Sequence, residues 1–499
     1  MDVDTIRSGL EAYRNGHELD RYELDRGLRR ESEARALRQR HADLFRAETR
    51  GLVADAEAKA RERGHPGDAA SLRLLHEGLV RFHLQRELAP IDAAIARHGR
   101  VVQVELADGS RRPLRDMKLL LASAASGERR GEIEEARLEA ARTLVPLMTE
   151  KVGVEQALAK DLGHGDLVAL HDALTGRDAA ATGEVARRIL EETHDLYREV
   201  MGWTVRKRLG VDLADARRCD VPYVLAGRYL DYAGAFTAAD MLKRARGFLG
   251  RLGVDLTADG RVSVEVEAPA PDAPPRAYVG AIRVPDDVRL VLEIGDGQRD
   301  WLAFLEALGR ALFLGHVDPA APFEQRALGD PSLDLAFGAL FRHLLLEPAW
   351  LERTLGFERP KDYLILAYLE RLYDLRLCCG RVLFELRLRR QGSAEGMEEV
   401  FEGIMRQAIG VRTPRELFLH DVRAALHSLT QLRARLFEPL LTLHLLHYFD
   451  ETWWNNPRCG PFLRREWAIG HRLSVEDRAR DMGYELSAKP LLKLFAKNL

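Results

Sequence analysis

The chain reads as a mainly α protein, and three observations predict this. Apolar residues recur at three- and four-residue spacings through most of its 499 residues. Only residues 262–294 are rich in strand-like segments. The helical stretches are separated by short Gly- and Pro-containing breaks, near 318–322, 329–331, 358–360, 392–396 and 455–460.

Residues 1–100 read as long charged helices. Leu10, Tyr13, Tyr22, Leu24, Leu28, Leu37 and Leu44 mark one buried stripe. That stripe either meets a coiled-coil partner or packs on the rest of the chain, and packing is the expectation. Residues 101–106 (VVQVEL), followed by Ala-Asp-Gly-Ser, predict a small hairpin. Helices resume from about Leu114 to Gly210, with Gly163 and Gly165 marking a helix end. VSVEVE, RAYVGAIRV and VRLVLEI then read as strands, with the proline-rich APAPDAPP as a loop between the first two. From Asp300 the pattern is helical to the end.

Hydrophobic residues make up 46% and charged residues 31%, the balance of a soluble globular protein rather than a disordered one. A net charge of −3 gives no bulk attraction to nucleic acid or to an anionic membrane, so neither is an expected partner. No run approaches the ~18 apolar residues a membrane span needs, and the N-terminal segment has no signal-peptide core. Cys219, Cys378, Cys379 and Cys459 form no CxxC pair. A reducing cytoplasm without a disulfide framework is therefore expected. GxSxG, GxxxxGK[ST] and GxGxxG motifs are absent, so serine-hydrolase, P-loop and dinucleotide readings lack local support.

Residues 304–316 read FLEALGRALFLGH, an apolar helix with a Gly one position before a polar residue. A zinc protease carries His-Glu-x-x-His on such a helix: two His on one face bind the ion, and the Glu is the general base. Taken with 275–292, 295–316, 326–351, 418–441 and 453–484 in that order, the chain resembles the thimet oligopeptidase and oligoendopeptidase F family over roughly residues 100–490. The resemblance implies an elongated helical zincin-like fold with a deep channel and a small antiparallel sheet beside the zinc helix. It divides the chain into N-terminal charged helices (1–100), a helical lobe with a hairpin (101–260) and a degenerate catalytic-type domain (261–499), with the former zinc helix at 300–315.

The family's chemistry does not carry over. Its two His ligands fall on Glu306 and Arg310, its general base on Ala307, and its third ligand on Leu335. Its transition-state Tyr positions fall on about His427 and Gln431. Alanine accepts no proton, leucine offers no donor atom to a metal, and arginine has only N–H donors and a fixed positive charge. No metal and no cofactor is therefore expected. Glu306 and Arg310, four apart with Glu first, are expected to form a helical ion pair in the vacated zinc position.

The resulting expectation is an inactive pseudopeptidase. It would bind a peptide, another extended ligand or a partner protein, with the strand around 278–283 pairing the ligand backbone and Tyr278, Asp334 and His427 in contact with it. The alternative is an active hydrolase whose metal is held by His427, His444, His447 and Asp334. A third reading gives the N-terminal helices an assembly role. His76-Glu77 lacks a second His at Val80, and His316, His444, His447, Trp453 and Trp454 are expected to pack.

Overall fold

The computed structural model describes residues 2–267, 276–293 and 295–499. The predicted loop over APAPDAPP lies outside the described residues. In chain order the first helices are α1 (Val3–Asp25), α2 (Ala34–Arg40), α3 (Ala47–Glu62) and α4 (Pro66–Val101). A hairpin of β1 (Gln103–Glu105) and β2 (Arg111–Pro113) follows. Next come α5 (Met117–Ser123), α6 (Gly127–Arg142), α7 (Val145–Asp161), α8 (Leu167–Thr175), α9 (Ala179–Glu192), α10 (His194–Leu209), α11 (Val221–Ala226) and α12 (Met241–Leu252). The strands β3 (Val262–Glu267), β4 (Arg276–Arg283) and β5 (Asp287–Glu293) lead into α13 (Gln298–Gly315), α14 (Phe323–Ala327), α15 (Ser332–His343) and α16 (Pro348–Trp350). The chain ends with α17 (Lys361–Gln391), α18 (Met397–Ile409), α19 (His427–Phe449), α20 (Cys459–Ala468), α21 (Val475–Asp481) and α22 (Lys489–Asn498).

These elements form two compact units. The first comprises residues 1–86, 235–358 and 437–486, and the second 87–234, 359–436 and 487–499. The boundaries near 100 and 260 mark changes of secondary-structure character, whereas each unit gathers three separate stretches of chain.

In the first unit, β5 is the central strand of a three-stranded sheet. β4 pairs with it antiparallel and β3 parallel, so the sheet beside α13 is mixed rather than antiparallel as expected. The physical reason is connectivity: β4 and β5 form a hairpin, which leaves β3 the far edge of β5 in the same direction. Alternation along the strands divides the two faces. Tyr278, Ile282 and Val291 meet Leu19 and Tyr22 of α1, and α13 packs on the sheet as well. Most of the N-terminal stripe packs on its own unit, where Leu10, Tyr13, Leu37 and Leu44 share a buried cluster with Ile6, Leu75, Phe323 and Leu328, but Leu28, beyond the end of α1, is exposed.

In the second unit, α17 is buried on nearly every side and packs against α9 and α18. Gly380 lets α18 approach, since a Cβ there would lie 2.9 Å from that of Ala408. The hairpin closes over Val104, Leu106, Met117, Leu121 and Ile133. The helical run expected from Asp300 onward is interrupted between Gly410, at φ 72°, and the start of α19, with Ala425 and Leu426 also at positive φ. Asp421 anchors this segment. Its carboxylate accepts from Arg218 at 2.5 and 2.9 Å and from Arg381 at 3.1 Å, a buried triad no helical pattern encodes. All four cysteines are buried free thiols. Among the described residues, no helix is long and apolar enough to cross a membrane.

Candidate functional site

Helix α13 is built by its apolar positions. Trp301, Phe304, Leu305, Leu308 and Leu312 are buried at three- and four-residue spacings. The Asp300 carboxylate accepts the Gly295 N–H at 3.0 Å before the first turn, and burial pushes its pKa up to about 6. α15 starts after Pro331, where Asp330 accepts from the Ser332 N–H at 3.0 Å.

Two glycines set how the helices meet. A Cβ at Gly309 would lie 2.4 Å from the Phe337 carbonyl oxygen and 3.0 Å from the Gly338 Cα. A Cβ at Gly338 would lie 2.8 Å from the Glu306 carbonyl oxygen. The two backbones therefore touch at this crossing, and Phe313 stacks on Phe337 one turn further along, with ring centroids 5.2 Å apart.

This approach overturns the expected Glu306–Arg310 pair. Arg310 reaches across to α15 instead, where its Nε and Nη2 donate to Asp334 Oδ2 at 3.0 and 2.8 Å. Glu306 accepts from Arg342 Nη1 at 3.4 Å. The reason is desolvation. Asp334 is buried, and a buried carboxylate that accepts two N–H bonds from one guanidinium outweighs an i,i+4 contact on a half-exposed helix face. Asp334 in turn raises the Arg310 pKa further above its ordinary value. Asp334 is thus ion-paired with Arg310 across the two helices.

The remaining predicted positions distribute as follows. Ala307 is buried, and Leu335 is half-buried on α15. Tyr278 packs with Tyr22, Ile282 and Val291. β4 is an edge strand, but Arg14 Nη1 donates to the carbonyls of Ala281 at 2.6 Å and Ile282 at 3.1 Å. His427 and Gln431 belong to the second unit, in the first turns of α19. His316 caps α13, its ring 5.0 Å from that of Trp467, and burial lowers its pKa.

The zinc that the resemblance implies does not fit this donor set. The helix pair offers the carboxylates of Glu306 and Asp334, each facing a guanidinium, with alanine and leucine at the other two positions. The non-standard metal site fares no better. His444 stacks on Phe462 with centroids 5.0 Å apart, and Asp334 is held by Arg310. Among the described residues, no group of three or more His, Cys, Asp or Glu is arranged to hold a metal ion.

No protein-family model and no curated protein matches the chain.

Proposed function

We propose that the chain is a non-catalytic, metallopeptidase-like binding protein that takes a peptide or other extended ligand. The observation that carries this reading is the Arg310–Asp334 bridge between α13 and α15. It puts a fixed positive charge and a buried ion pair where the resemblance puts a divalent cation and its ligands, and it leaves no group to serve as general base at Ala307. The ligand's backbone pairs with β4 ahead of Ala281, the part of this edge not taken by Arg14.

Two measurements on the purified full chain test the reading. Metal content after incubation with zinc is expected to stay substoichiometric, with no cleavage of an unstructured peptide mixture. One tightly held ion per chain together with zinc-dependent cleavage refutes the non-catalytic part. Adding the same peptides in excess is expected to slow amide hydrogen exchange in 277–280. Unchanged exchange there at saturating peptide refutes the strand-pairing part.

A further inference from the structure

The last turns of α19 depart from the rule that the outer face of a surface helix is polar. Between Glu438 and Asp450 the sequence PLLTLHLLHYF holds no Asp, Glu, Lys or Arg, in a chain where 31% of residues are charged. Leu443, His444, His447 and Tyr448 stand at i, i+1, i+4 and i+5, one continuous arc of the helix. Leu443 is 43% and Tyr448 57% exposed; His447 is exposed too, and His444 is half-buried. Among the described residues, α19 is the one helix that carries two of the exposed large apolar side chains.

Ring contacts within the first unit hold this arc in place. The His444 ring stacks on Phe462 of α20 with centroids 5.0 Å apart and lies 4.5 Å from Tyr448. Tyr484 meets His444 edge-on at 6.1 Å, and His447 meets Tyr448 edge-on at 4.7 Å. Side chains already fixed by their neighbours lose little freedom when a partner covers them. Charges begin only at the rim and have both signs: Arg465 lies 5.5 Å from the Phe462 centroid, and Asp450 follows the helix.

The absence of charge argues for the partner. Selection of a foreign surface draws on complementary charge, and this arc offers none to match. A two-fold contact sets a face against itself, where a charge near the axis would meet its own copy. An uncharged arc of leucine and rings suits that arrangement, and aromatic residues are enriched in such contacts. We propose that this arc of α19 is a self-association surface, on which a second copy of the chain seats the same arc and covers Leu443 and Tyr448. Two helical turns bury little area, so the dimer is weak and forms at micromolar concentrations. The inference stands independently of the reading of α13 and α15.

Sedimentation velocity of the full chain from about 1 to 200 µM tests it. A reversible dimer is expected, with an affinity that changes less than about threefold between 0.05 and 0.5 M salt, because no ion pair is screened. Leu443 and Tyr448 are exposed, so Leu443→Glu and Tyr448→Glu are each expected to keep the wild-type melting curve and weaken the dimer about tenfold or more. Leu119→Glu, at a 56% exposed position of α5, is expected to leave the dimer intact. A chain that stays monomeric at about 200 µM overturns the proposal. So does a dimer unweakened in folded Leu443→Glu and Tyr448→Glu variants, one lost equally in Leu119→Glu, or one that falls about tenfold with salt.

Discussion

Replacing Gly309 with alanine tests the helix crossing on which the site rests. On an open helix surface the change stabilises, because alanine is favoured over glycine by about 0.5–1 kcal/mol. Gly51 in α3 provides that reference: a Cβ there meets nothing within 4 Å. At Gly309 the added atom would lie 2.4 Å from a backbone oxygen of α15, and a backbone oxygen cannot swing aside as a side-chain tip can. The helices must separate, loosening the Phe313–Phe337 stack and drawing Arg310 from Asp334. Overpacking of this kind costs about 1–3 kcal/mol, and a strained ion pair adds to it, so the propensity gain is more than cancelled.

Gly51→Ala is therefore expected to raise stability by about 0.5–1 kcal/mol and Gly309→Ala to lower it by roughly 1–2 kcal/mol. Urea unfolding followed by tryptophan fluorescence reads both, since Trp301 and Trp350 are buried in the same unit. Equal stabilisation by the two substitutions would refute the crossing, and with it the explanation of why Arg310 pairs across to α15.

Asp334→Ala leaves Arg310 facing a partly desolvated space and is expected to cost about 2 kcal/mol, whereas the double change Arg310→Met with Asp334→Leu should recover most of that loss in a double-mutant cycle. Glu385 gives a pH signature. Its folded pKa, pushed up by burial to about 7, lies above the unfolded value, so the folded state holds the proton more tightly and stability falls as pH rises from about 4.5 to 7. Glu385→Gln is therefore expected to gain more over wild type at pH 8 than at pH 5 in paired urea titrations. Asp421 has the opposite sign: Arg218 and Arg381 hold its pKa well below the carboxylate range, so its contribution is full at neutral pH and fades as acid protonates it. Asp421→Asn should accordingly destabilise at pH 7 and lose that effect in acid melts. Deleting residues 1–60 removes Ile6, Leu10, Tyr13 and Val53 from a buried cluster, so the truncated chain is expected to melt far lower or aggregate, and a wild-type melting curve would contradict the packing of α1.

Local patterning accounts for what was legible in the sequence. The alternation in VSVEVE and VRLVLEI, the turn chemistry of Asp108-Gly109 and the apolar spacing of 301–312 each depend on neighbours a few residues apart, and the structure has strands, a hairpin and a helix there. The parallel pairing of β3 was not legible, because strand order depends on which edge the β4–β5 hairpin offers. Nor was the interruption before α19, where the Arg218–Asp421 contact spans 203 positions. The buried Glu155–Arg389 pair of the second unit escaped for the same reason: Glu155 on α7 reads as one more charge on an amphipathic helix until Arg389, from another part of the chain, buries it.

The misplaced ion pair follows from a rule applied outside its domain. An i,i+4 preference is measured on isolated helices, where a side chain's only neighbours are its own turns. Once a second helix presents a buried carboxylate within reach, that preference of a few tenths of a kcal/mol is too small to decide. The sequence did carry a usable signal. Gly309 stands beside Arg310, and Gly338 stands four residues after Asp334, so each helix has a small residue next to the charge it must deliver. A glycine inside an apolar helix costs about 1 kcal/mol in propensity, and its presence on both helices marks where backbones come close enough for charges to cross. Read that way, Gly309 and Gly338 identify Arg310 and Asp334 as partners across a helix interface.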